Sequence, residues 1–174
     1  LAPILKSMGA RILYNATSKK DTNDAEFYEL DQLLRAADIV SLHIPLTPET
    51  TNLIDASSFE KMKPGSVLVN TSRGGVVDQD ALVKALTSGP LRAAGLDVYD
   101  EEPVDTDNPL LKMDNVCLTP HIAWLTRETM GRSIAVAVEN CIRLRDGKAL
   151  LHLVSGDYTI LSLVMFQHLI PIIV

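Results

Sequence analysis

Short apolar runs that alternate with helical patterns constrain this chain more than any other feature. "RILYNA" (11–16), "DIVSLHI" (38–44), "SVLVNTS" (66–72), "LRAAGLDV" (91–98) and "NVCLTP" (115–120) are brief, rich in Val, Ile and Leu, and bounded by turn residues. Strands buried on both faces read this way. Between them lie helical stretches. "ELDQLLRAAD" repeats leucine at helical spacing, and "DQDALVKALTSGP" has Asp78 as N-cap, Leu82, Ala85 and Leu86 on one face, then Gly89 and Pro90 as a stop. The longest helix is expected after Thr126, where Met130, Ile134, Val138, Cys141 and Ile142 recur along one stripe until Gly147.

Strand and helix alternating at this spacing predict parallel pairing through right-handed crossovers, hence an α/β fold with a Rossmann-like parallel sheet and flanking helices. The 174 residues, 47% hydrophobic, suffice for one sizeable core but hardly two. Lys and Arg total 16 against 22 Asp and Glu, a formal charge of −6, and the basic residues are scattered. Nucleic acid is therefore not an expected partner. Cys117 and Cys141 lack CxxC pairing, so reduced, buried thiols in a cytoplasmic protein are expected. The opening "LAPILKSMGA" has no basic lead or long apolar stretch, and no signal peptide is expected. After Asp157 come 17 uncharged residues, "YTILSLVMFQHLIPIIV". A bilayer-spanning helix needs about 20, so this tail, of unassigned role, is expected to be a buried segment or a misread end rather than an anchor.

In open parallel sheets, ligands bind beyond the carboxyl ends of the strands. Those ends are polar here: His43-Ile44-Pro45, Thr71-Ser72-Arg73, Asp97 with the following "YDEEP", and Thr119-Pro120-His121. The fold would thus bring an Arg, several carboxylates and a His to one edge. Gly74 and Gly75 are expected to turn the chain sharply with unusual dihedrals, leaving room for a ligand and setting Arg73 at the rim. Beside a carboxylate, Glu101 or Glu102, His121 would suit proton transfer near neutrality. His43 reads as a structural hydrogen-bonder, and His152 and His168 lie outside the polar edge.

With these residues in view, the chain resembles the D-isomer-specific 2-hydroxyacid dehydrogenases. "SLHIPLTPETTNLID", "KMKPGSVLVNTSRGGVVDQDALVKAL", "AAGLDVYDEEP", "NPLL" and "TPHIAW" stand in that family's order and spacing, and the resemblance runs from residue 1 to about 154. It is most similar to the glyoxylate/hydroxypyruvate reductase branch. The resemblance implies that Arg73 holds the substrate carboxylate and keto oxygen, that His121 is the acid/base, and that Glu102 orients its imidazole. It further implies cofactor contacts at Ile44, Pro45, Thr50, Thr71, Ser72, Arg73, Asp97 and His121, with Asp97 near the nicotinamide amide, and a pocket-shaping Trp124. No metal is implied. A homodimer using the helix around 126–146 is.

Two departures bear on these expectations. The Gly-rich phosphate loop, and the strand that precedes it in this architecture, are not found before "LAPILKSMGA". Loss of that central strand would leave two neighbours with unpaired backbone groups. The family's substrate domain has no counterpart either, so the sequence reads as an NAD(P)-binding domain over 1–154, incomplete at its N-terminus, followed by the tail 155–174. The position after "RILYN", where NAD-preferring relatives place an acid, holds Ala16, with Ser18, Lys19 and Lys20 following. These could receive a 2′-phosphate, so NADP(H) is favoured over NAD(H). A reductase acting on a small 2-keto acid is the leading reading. A cofactor-sensing module resembling corepressors, and an inactive fragment, are the alternatives.

Overall fold

Residues 1–153 are described by the computed structural model. In chain order they form α1 (Ala2–Ser7), β1 (Leu13–Tyr14), β2 (Glu26–Phe27), α2 (Leu30–Ala36), β3 (Ile39–Leu42), α3 (Ala56–Lys61), β4 (Ser66–Asn70), α4 (Gln79–Thr87), β5 (Leu91–Leu96), β6 (Val116–Leu118) and α5 (Arg127–Arg145). All strand pairs are parallel, which obliges the chain to cross over between neighbours. The α/β reading therefore holds.

The strands make two sheets rather than one. β1 pairs with β2 alone, while β3, β4, β5 and β6 follow in sequence order in the second sheet. β1 and β3 thus each keep one unpaired edge among the described residues. This is the outcome expected when a strand between two neighbours is lacking. Ile39 on β3 is 65% exposed.

Burial on both strand faces is not borne out. Val40 and Leu42 of β3 are buried while Ile39 and Ser41 are exposed, and β4 buries Ser66, Leu68 and Asn70 but only partly Val67 and Val69. The buried face packs with Leu34, Phe59, Ala81, Leu82, Ala85 and Leu86 from α2, α3 and α4 in one apolar cluster. On the other face Val67 and Val69 stay partly open to water, and α1 buries none of its residues. Cys117 and Cys141 are likewise exposed, against expectation. Cys117 lies on β6, the last strand of its sheet, and Cys141 on α5, which buries no residue among those described.

Helix ends follow their side chains. The Asp78 carboxylate accepts from the Ala81 N–H at 2.9 Å, capping α4, and Thr126 does the same for α5 through the Thr129 N–H at 3.1 Å. α4 buries Ala81, Leu82, Ala85 and Leu86 as its spacing predicts. Two elements were not expected, β2 and α3. The latter is short and Ser-rich, and begins where Asp55 accepts from the Ser58 N–H at 2.8 Å.

Two compact units divide the chain, residues 1–123 and the part from Trp124 onward. In the second, Asn140 receives the Leu151 N–H at 2.8 Å and donates to the Leu151 carbonyl at 3.2 Å, folding the segment after Gly147 back onto α5. The apolar stripe of α5, with Met130, Ile134, Val138 and Ile142, is exposed. The apolar tail falls among residues outside the description. No helix among the described residues is long and apolar enough to cross a membrane.

Candidate active site

Each strand of the larger sheet delivers its polar residues at its carboxyl end. At the end of β3, Ser41 Oγ lies 2.9 Å from His43 Nε2, the structural bond expected of that histidine. Thr50 Oγ1 donates to the Pro45 carbonyl at 2.7 Å and accepts the Thr47 N–H at 2.7 Å. Its hydroxyl therefore shapes the loop that presents Ile44 and Pro45. At the end of β4, Asn70 is buried. Its Oδ1 accepts the Ser72 N–H (3.0 Å) and hydroxyl (2.9 Å), and its Nδ2 donates to the Arg73 carbonyl at 2.9 Å. A cleft of about 650 Å³ opens between these two strand ends, lined by His43, Ile44, Pro45, Leu46, Thr71, Ser72 and Arg73.

The Arg-Gly-Gly turn works otherwise than expected. Gly74 and Gly75 lie in a short 3-10 turn, Gly74–Val76, and neither has a positive φ. The need for glycine at 74 is steric. A Cβ there would stand 1.9 Å from the Tyr99 carbonyl carbon and oxygen and 2.4 Å from the Asp100 nitrogen. Backbone lies against backbone, which seats the turn bearing Arg73 directly on the loop after β5. A Cβ on Gly75 would meet only the Leu46 side chain at 3.2 Å and the Asp100 carboxylate at 3.5 Å.

That loop carries the acid. Glu102 Oε2 lies 2.7 Å from His121 Nδ1, and Oε1 accepts the Tyr99 N–H at 3.0 Å. Of the two acids considered for His121, the pairing selects Glu102. The bond from His121 first, then the Tyr99 N–H, hold the Glu102 carboxyl below its ordinary range against the opposing effect of burial, and the nearby Arg73 charge acts in the same direction. His121 thus meets the Glu102 carboxylate although the two lie 19 residues apart in sequence. A carboxyl depressed in this way adds stability above its unfolded pKa, lost as pH falls through its folded value. Glu102 and His121 side chains are each 38% exposed, so solvent keeps that contribution small.

Behind the pair, Asp97 is 2% exposed. Oδ1 accepts the Thr119 hydroxyl and the Ile122 N–H at 2.9 Å, and Oδ2 accepts the Ala123 N–H at 2.8 Å. Burial by itself would raise its pKa, yet these donors together with the His121 charge lower it. Tyr99 adds a hydroxyl bond to the Thr119 carbonyl at 3.0 Å, and His121 itself adopts φ +55°. Reading the sequence missed Asn70, Tyr99 and the contact at Gly74. A buried Asn ending an apolar strand was a usable signal for the first, since such a side chain must find partners.

Ser18 and Lys19, also expected at the site, are exposed on the loop between β1 and β2, with Lys19 Nζ 5.0 Å from the Phe27 ring centroid and Lys20 Nζ 3.2 Å from Ser18 Oγ. Trp124 opens the second unit, 49% exposed. Among the described residues, no three His, Cys, Asp or Glu are grouped to hold a metal ion.

Comparison with known proteins decides the family. The D-isomer specific 2-hydroxyacid dehydrogenase, NAD binding domain, matches residues 1–123. The chain belongs to this family. It is 45% identical over 161 residues to a glyoxylate reductase of Aeropyrum pernix, covering 90% of the chain and 48% of that relative. It is 46% identical over 140 residues to glyoxylate/hydroxypyruvate reductase B of Enterobacter sp. (strain 638), covering 78% of the chain and 43% of the relative. The crystal structure of the TT0316 protein from Thermus thermophilus superimposes with a TM-score of 0.83 at 42% identity, over 88% of this chain and 49% of that one. The chain thus spans about half the length of the curated relatives it matches.

Proposed function

We propose that this chain carries the cofactor cleft and the acid/base edge of an NAD(P)H-dependent reductase of small 2-keto acids, with glyoxylate or hydroxypyruvate as substrate. The observation that carries the proposal is the 2.7 Å pairing of His121 Nδ1 with Glu102, a carboxylate also under the influence of the Arg73 charge. The relatives' names point to the same substrates.

Arg73 offers a planar fork of donors at the rim of the cleft, suited to the carboxylate and keto oxygen of a 2-keto acid. Glu102 engages Nδ1, so the proton given to the keto oxygen leaves from Nε2 of His121. A nicotinamide cofactor supplies the hydride when bound. The cleft suits its nicotinamide end, because Ile44 and Pro45 give apolar contact while Thr71 and Ser72 bring polar groups. A Gly-x-Gly-x-x-Gly run is not among the 174 residues, and the pyrophosphate has no glycine cradle in them. NADP(H) is the favoured form, since Ala16 puts no acid after β1 and Ser18 and Lys19 follow it, exposed. Exposed thiols at Cys117 and Cys141 fit the reducing cytoplasm.

Titrating the purified chain with NADPH and with NADH, read by nucleotide fluorescence, tests the cofactor reading. Tighter binding of NADPH is expected, and a preference for NADH would remove the role given to Ser18 and Lys19. Binding without glyoxylate turnover by the full-length protein would favour the sensor reading instead. The homodimer is assigned to α5, whose exposed apolar stripe would be covered by its copy. A monomeric mass by light scattering at micromolar concentration would count against it.

A further inference from the structure

We infer that Asp97 is a positioning residue, which holds the segment bearing His121 in its working conformation through bonds to the chain on both sides of that histidine. The inference rests on the acid/base reading of His121, and it goes beyond the nicotinamide contact that the family resemblance implies for Asp97. Its partners are Thr119, two residues before His121, and Ile122 and Ala123, immediately after it. Two backbone N–H groups and one hydroxyl thus converge on a single carboxylate that is almost wholly buried. Three of its four lone-pair directions are engaged by its own chain.

The histidine between these anchors needs them. His121 sits at φ +55°, in the left-handed region where a side-chain-bearing residue is strained and persists only when its surroundings over-determine it. Tyr99, two residues beyond Asp97, adds a second tie through its hydroxyl on the Thr119 carbonyl, which also accepts the His121 N–H at 3.1 Å. One loop therefore supplies both the acid that pairs with the imidazole and the anchor that aims its backbone. The end of β5 fixes the end of β6 as a unit, and the 2.7 Å pair depends on that registration.

Asp97→Asn tests this. An amide can keep two acceptor bonds on its oxygen, but it sets an NH2 against the remaining N–H, so one anchor is lost. Hydrogen exchange and NMR of the chain without cofactor or substrate are the readouts. Exchange at Ile122 and Ala123 is expected to quicken by about 10-fold or more, as for loss of a charge-assisted bond, and the His121 Nδ1–H signal of the pair with Glu102 to broaden or vanish. Thr119→Val removes one anchor, retains the charge, and is expected to give a smaller change in the same direction, which keeps the test open if Asp97→Asn does not fold. Unchanged exchange and an unchanged His121 signal in either folded variant would overturn the inference. Weaker NADPH binding accompanying that result would make Asp97 a cofactor ligand. Because no reaction is measured, a failure of the reductase reading would show elsewhere, in turnover.

Discussion

His121→Asn is expected to slow keto-acid reduction by the full-length protein about 100- to 10,000-fold, the usual contribution of a positioned proton donor. Asparagine places its amide nitrogen where Nδ1 stands, able to bond Glu102 across the present 2.7 Å contact, so the loop geometry is retained. What it cannot do is release a proton to a developing alkoxide at neutral pH. The loss should therefore fall on kcat more than on cofactor affinity, because the proton is needed only in the chemical step. Single-turnover oxidation of NADPH with glyoxylate separates the two quantities. A loss smaller than about 10-fold would assign the proton to another donor and leave His121 a structural role.

The second large effect is steric. Gly74→Ala would force a methyl group to within 1.9 Å of the Tyr99 carbonyl, and neither partner is a side chain able to swing away. The two loops must part, at a cost of about 3 kcal/mol or more, the upper end for overpacking. In a chain of this size that lowers the melting temperature by roughly 10 °C. Gly75→Ala is the control. Its new methyl meets a flexible leucine side chain and a carboxylate at ordinary or slightly close distances, so a change below about 1 kcal/mol is expected. Thermal unfolding of both variants compares them directly, and equal melting temperatures would remove the steric reason for glycine at 74. Parting the loops should also relieve Glu102 of the Arg73 charge, raising its pKa.

Period and punctuation made much of this architecture legible in advance. The buried face of α4, the Asp78 and Thr126 caps and the five expected strands all follow from local patterns. So did the edge at which the polar residues collect, since parallel strands point their carboxyl ends the same way. The contact that chooses Glu102 over Glu101 was not readable from spacing, because it depends on how the loop after β5 folds over the end of β6. Gly74 was misread for a related reason. A glycine pair suggests unusual dihedrals, but close approach of a second backbone asks for the same residue and leaves no mark in one sequence. Burial on both faces was overestimated, since an apolar run says nothing of whether a cover is at hand.

One irregularity interrupts the pairing of β4 with β5, between Ser66 and Val67, after which partners run unbroken from Val67 with Ala93 to Asn70 with Leu96. A bulge absorbs one surplus residue, whereas a slip along the paired stretch would invert every side chain beyond it. The mismatch is thus confined to the end remote from Arg73 and Glu102. Length variation is cheap at the entrance of β5, where Arg92 is the surplus residue, whereas a single-residue insertion near Asn70 would turn the side chains that follow it to the opposite surface.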